Sequence, residues 1–159
     1  MEMQLKNHLS QSAVRTFEEL AFVFTDSELD EMQLEAPFEA GATVAFDGPM
    51  RGRLSLRLYG DILETLTQNM LPDLEKSSHA MRIDTLKEIT NVICGNLLPL
   101  IGGEAAIFDL HPPESDDIES PDTVPVPPAT MMVVGLEGGR AELSLYLEET
   151  EVMDNGVAQ

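Results

Sequence analysis

The stretch Ile83–Gly103, IDTLKEITNVICGNLLPLIGG, decides how this chain is put together. At about 100° per residue its apolar positions Leu86, Ile89, Ile93, Leu97 and Leu100 fall on one side, flanked by Ile83 and Val92, which predicts a long amphipathic helix. Asp84, Glu88, Asn91 and Gly95 follow one another at steps of four, three and four, so they stack as a row on the opposite face. A solvated helix back is ordinarily filled with strong helix formers such as Lys, Glu, Gln or Ala. Asn and Gly each cost roughly 0.5–1 kcal/mol relative to Ala inside a helix. A row that costs this much points to contact with something outside the helix. Two bland readings stand beside it: a charged helix back with an odd Asn, and a Gly95 that eases packing against a strand. Pro99 removes one backbone donor and crowds the Gly95 carbonyl, so a kink or an early end is expected there.

Working outward, 159 residues fit one domain with a proper core, and 43% hydrophobic and 24% charged residues are ordinary for a globular protein. The sign balance is not ordinary: 29 acids against 9 bases give a formal charge of −20. Such a field repels phosphate backbones and anionic bilayers, so neither nucleic acid nor membrane is an expected partner. Cys94, the single cysteine, excludes an internal disulfide and fits a cytoplasmic location; burial is its expected state. The polar opening MEMQLKNHLS lacks the apolar stretch of a signal peptide, and no run of ~18 apolar residues could cross a bilayer.

The element pattern alternates helices with hairpins. Gln4 to Phe24 reads as a first amphipathic helix with Leu5, Leu9, Val14, Phe17, Leu20, Ala21 and Phe24 on its apolar side. The acidic Glu28–Glu35 follows; its spacing with Asp26 lacks the glycine a calcium loop needs, so that site is rejected. Ala42–Phe46 and Arg51–Tyr59 form a hairpin, with Leu54, Leu56 and Leu58 pointing one way and Arg53, Ser55 and Arg57 the other. Asp61 is expected to cap a short helix ending at Met70 or Leu71 before Pro72, with Glu75–His79 a polar connector. Ala105–Leu110 reads as a short strand, Pro112–Pro128 as an acidic proline-rich loop, Thr130–Leu136 and Arg140–Leu147 as a second hairpin, and the residues after Glu148 as a frayed tail. Gly52–Leu58 resembles Gly139–Leu147 after a two-residue insertion. The fold class expected is therefore α/β in composition (α+β type): a mostly antiparallel sheet with long helices packed on a face and pseudo-twofold halves.

Asp84-x3-Glu88-x2-Asn91, with Gly95-Asn96 after it and Phe108-Asp109-Leu110-His111-Pro112-Pro113 further on, resembles the signature helix and following strand of the CheC, CheX and FliY phosphatases of bacterial chemotaxis. Only Glu88 has an Asn three residues later; Glu18 is followed by Ala21 and Glu19 by Phe22. A single motif resembles the CheX branch, whose relatives with two carry one per half. The resemblance implies a CheX-like fold and, as substrate, a CheY-like response regulator phosphorylated on aspartate. The regulator brings its own Mg²⁺ and lysine, so this chain needs no cofactor and no metal site of its own.

In that setting Asn91 and Glu88 are the expected catalytic residues. The neutral Asn91 amide can hold an in-line water without repelling the phosphoryl group. Glu88 would pair with the regulator's lysine and set the register. Asp84 and Gly95 are expected on the partner-binding surface, Asp84 as an interface hydrogen bond or plain N-terminal helix support, Gly95 as a point of close approach. Homodimerisation through a sheet edge is a further expectation from the CheX resemblance. The competing reading is a non-catalytic adaptor, or a relative of the flagellar-switch domains, using the same face.

Overall fold

Leucines at every second position of Gly52–Gly60 set the plan of the molecule, because alternation buries one face of a strand and leaves the other for polar groups. The computed structural model describes residues 2–72, 76–116 and 127–148. In chain order these form α1 (Glu2–Glu19), β1 (Thr25–Asp26), α2 (Glu31–Glu35), β2 (Phe38–Asp47), β3 (Gly52–Gly60), α3 (Leu63–Met70), α4 (His79–Gly102), β4 (Asp109–Leu110), β5 (Glu114–Asp116), β6 (Thr130–Leu136) and β7 (Gly139–Leu147). The strands make one sheet in the order β1-β6-β7-β3-β2-β4, with β5 also on β2, and every pairing is antiparallel. Leu54, Leu56 and Leu58 of β3 and Ala141, Leu143 and Leu145 of β7 face the helices, as the alternation predicts. α1 packs on β6, α4 packs on β2, and the two helices touch each other.

β3 and β7 lie side by side at the centre, with Leu56 opposite Leu143 and Gly60 opposite Gly139. This register relates the two strands by a twofold axis, each position in β3 matching one 87 residues later (52 to 139, 59 to 146). The two-residue insertion expected from the sequence is therefore not needed. The symmetry extends to side chains: the Arg53 guanidinium lies 4.1 Å from the Tyr146 ring centre and Arg140 lies 3.9 Å from that of Tyr59. An added Cβ on Gly52 would strike the Tyr146 carbonyl, and one on Gly139 would strike the Tyr59 carbonyl.

Several boundaries differ from expectation for physical reasons. α1 ends at Glu19, not Phe24: the Leu20 and Ala21 amides both reach the Thr16 carbonyl, and Phe22 takes a left-handed φ of 57°. Phe24 is consequently 89% exposed, while Ser12 and Thr16 join the buried stripe. The acidic segment contains α2, closed by a capping box in which Asp30 and Gln33 satisfy each other's backbone amides. Asp61 does not cap α3. The Glu39 carboxylate on β2 does so, accepting from the Ile62 amide at 2.9 Å and the Leu63 amide at 3.2 Å. Burial pushes the Glu39 carboxyl above its ordinary range, and those two amide hydrogen bonds oppose the shift.

The strand expected over Ala105–Leu110 is only Asp109–Leu110, and part of the expected proline-rich loop is strand β5, paired to Gly41–Thr43. The rest of that loop and the expected tail lie outside the described residues. Among the described residues, no helix is long and apolar enough to cross a membrane.

Candidate functional site

α4 is longer than Ile83–Gly103 at its start, since Ser78 caps it by accepting from the Met81 amide at 3.2 Å. It also runs through Pro99 to Gly102, closing when the Gly103 amide meets the Pro99 carbonyl at 3.0 Å. The early stop does not occur: Pro99 lies inside the helix, and the N–H it lacks is the one that would have met the Gly95 carbonyl.

The buried stripe is Leu86, Ile89, Ile93 and Leu97 with Thr85, Thr90, Cys94 and Leu98 alongside. Leu100, expected on it, is 39% exposed. Thr90 tolerates burial because its hydroxyl donates back to the Leu86 carbonyl at 2.8 Å. Burial pushes the Cys94 thiol up to about 12, which leaves it an inert packing residue.

On the opposite face Asp84, Glu88 and Gly95 are exposed and Asn91 is half-buried. The ion pairs of the described residues leave out Asp84 and Glu88. No hydrogen bond to another described residue occupies the side chains of Asp84, Glu88 or Asn91. A Cβ built on Gly95 meets nothing within 4 Å. Packing against a strand therefore does not explain that glycine. The structure thus brings all four residues onto one open helix face, with their polar groups unspent.

Three features beside this row join residues that are far apart in sequence. At the start of α4, Glu64 of α3 accepts from the Ser77 hydroxyl and from Arg82 Nη1 at 3.1 Å, and Arg82 also donates to the Ser77 carbonyl at 2.8 Å. The Ser77 hydrogen bond holds the Glu64 carboxyl below its ordinary range. This clamp ties α3 to α4, and beside it opens a notch of about 400 Å³ lined by Met70, Leu71, Met81, Asp84, Thr85 and Glu88. Neither could be read locally, since Glu64 and Arg82 belong to different helices. Further along, Asn96 Nδ2 donates to Thr16 Oγ1 at 3.3 Å, holding α1 to α4 next to Gly95. No cluster of three metal-ligating side chains occurs among the described residues.

A half-buried amide and an exposed carboxylate one turn apart, neither hydrogen-bonded to another described side chain, can order a water and a cation supplied by another molecule. The family model described as "Chemotaxis phosphatase CheX" matches residues 40–123, which include the whole row. The fold is shared with the chemotaxis protein CheX from Vibrio vulnificus (TM-score 0.74, 16% identity, 93% of this chain and 99% of that one). It is shared too with CheX from Desulfovibrio desulfuricans (TM-score 0.71, 15% identity, 91% and 99%). A third similar chain is that of the CheX–CheY–BeF3–Mg²⁺ complex from Borrelia burgdorferi (TM-score 0.63, 13% identity, 90% and 97%). No curated protein matches the chain in sequence.

Proposed function

Because this chain belongs to the chemotaxis phosphatase CheX family, we propose that it hydrolyses the aspartyl phosphate of a CheY-like response regulator. The observation that carries this reading is the unspent Asp84-Glu88-Asn91 row, with Gly95 open beside it, on the helix that the family match covers. The Borrelia CheX was solved with CheY, beryllofluoride and Mg²⁺, which supports a CheY-like partner here.

In the reaction, water attacks phosphorus in line with the acyl oxygen. The P–O bond to the aspartyl group breaks, the regulator regains its carboxylate, and inorganic phosphate leaves. Mg²⁺ and the lysine belong to the phosphorylated regulator and balance charge there. Asn91 enters alongside the phosphoryl group; its amide oxygen accepts from the water and its NH₂ donates, fixing the water's lone pair on the line of attack. A neutral amide does this without adding a negative charge near the phosphoryl oxygens. Glu88, one turn earlier, pairs with the regulator's lysine, and that charge pair holds the helix at the depth Asn91 needs. Gly95 lets the regulator's backbone approach where any side chain would hold it off. The test is phosphate loss from the Mg²⁺-bound phosphorylated regulator with a small fraction of an equivalent of wild type or Asn91→Ala. Acceleration by the variant equal to wild type would remove Asn91 from the mechanism.

A non-catalytic adaptor would use the same face but could only sequester the phosphorylated regulator, so it could not act substoichiometrically. The rest of the reading follows from the same frame. All described strands share one sheet, which supports a single domain. A second copy is the expected partner for the edge of β6: β1 covers only Gly135 and Leu136, leaving Thr130–Val134 without an outer neighbour among the described residues. Sedimentation as a monomer at micromolar concentration would contradict that dimer. A regulator partner of this kind supports a cytoplasmic location, and the charge of −20 speaks against nucleic acid and membrane as partners.

A further inference from the structure

The notch between α3 and α4 is lined by apolar and acidic side chains together, a combination the hydrolysis itself does not require. Met70, Leu71 and Met81 supply thioether and aliphatic surface, and Asp84 and Glu88 supply exposed carboxylates. Leu71 is 44% exposed, so this apolar surface is open to an occupant. The cation nearest in sequence on the clamp, Arg82, is already turned to Glu64 and the Ser77 carbonyl, and no described ion pair reaches Asp84 or Glu88. The clamp also fixes α3 against the first turns of α4, so the notch exists before any partner arrives.

A wholly apolar occupant would strip water from Asp84 without replacing its hydrogen bonds. An acidic one would be repelled by Asp84 and Glu88 and by the chain's overall charge. A long basic side chain satisfies both surfaces at once, since its methylenes lie on apolar atoms while its head stays with the acid. Resting on the functional reading above, we propose that this notch receives a Lys or Arg side chain of the phosphorylated regulator. That side chain is distinct from the lysine met by Glu88. Its alkyl stem lies on Met70, Leu71 and Met81 and its cation lies against Asp84. Asp84 is then a binding residue that selects among regulators, with no part in the chemistry.

The experiment is calorimetric titration of the full chain with a Mg²⁺-bound, beryllofluoride-activated CheY-like regulator at low and high salt. Asp84→Asn is expected to weaken binding about threefold to tenfold at low salt and to flatten the salt dependence. Leu71→Ser is expected to weaken it about threefold with the wild-type salt dependence retained, since it removes only apolar contact. One regulator Lys or Arg, replaced by Ala, should lose as much affinity for wild type as Asp84→Asn does, and lose nothing further against that variant. Unchanged affinity in either chain variant, the absence of any coupled regulator base, or no binding by wild type would each overturn the proposal. Binding coupled through Asp84 without any phosphate hydrolysis would leave the notch standing and remove the catalytic reading.

Discussion

α1 and α4 occupy matching places on the sheet, one on β6 and the other on β2, yet their outward faces are in opposite condition. On α1 the exposed Arg15 and Glu19 pair with each other at 3.2 Å, and Glu18 accepts from the Thr25 hydroxyl at 2.9 Å. On α4, the side chains of Asp84, Glu88 and Asn91 make no hydrogen bond or ion pair to a described residue, and Gly95 has open space where its Cβ would stand. An exposed Glu alone therefore says little. A face that keeps its polar groups unspent and carries a glycine with no packing reason has its partner elsewhere. The pseudo-twofold pair thus contains its own control.

The comparison breaks most sharply at Asn91. Asn91→Ala should slow regulator dephosphorylation about a hundredfold or more, because a misplaced nucleophile loses at least that much. The melting temperature should stay near wild type, since the amide holds nothing inside the chain. Glu88→Ala should cost about 2 kcal/mol in kcat/KM, the low end for losing one partner of a desolvated charge pair. Glu19→Ala on α1 should leave the same steady-state rates unchanged. Equal losses from both helices would erase the distinction between them.

Gly95→Ala sharpens the contrast in the other direction. Alanine is favoured over glycine by about 1 kcal/mol in a helix, and nothing opposes a methyl there, so thermal melting should rise by about 2–4 °C while regulator binding weakens. At Gly102 the added Cβ would stand 2.7 Å from the Phe108 ring, and the same substitution should lower the melting temperature. The smallest effect is at the clamp. Glu64's carboxyl is held below its ordinary value by Ser77 first, with Arg82 contributing less. Its contribution to stability is complete above the unfolded value and is lost as pH falls through the folded one. Melting curves from neutral pH downward should show the gap between wild type and Glu64→Gln closing on acidification; a constant gap would contradict the assignment.

Where the physics is local, the sequence carried it. The alternation of Leu54, Leu56 and Leu58 announced the central strand, and the spacing of Asp84, Glu88, Asn91 and Gly95 placed them on one helix face that the structure keeps intact. The capping box of α2 is also locally encoded, in Asp30 and Gln33 three residues apart. What was not legible is tertiary. Glu39 caps a helix that begins 24 residues later, displacing the nearer Asp61, and β5 is a polar triplet made a strand only by its neighbour β2. The notch joins methionines from two helices across the segment that separates them. No periodicity within one segment could have announced it.

The most direct test of the central claim is the amount of phosphate released when a large excess of phosphorylated, Mg²⁺-bound CheY-like regulator meets a trace of this protein. The account predicts many phosphates released per chain with wild type and the spontaneous rate alone with Asn91→Ala. Release that never exceeds the spontaneous rate with wild type, in spite of measurable binding, would contradict it and leave the α4 face a docking surface without chemistry.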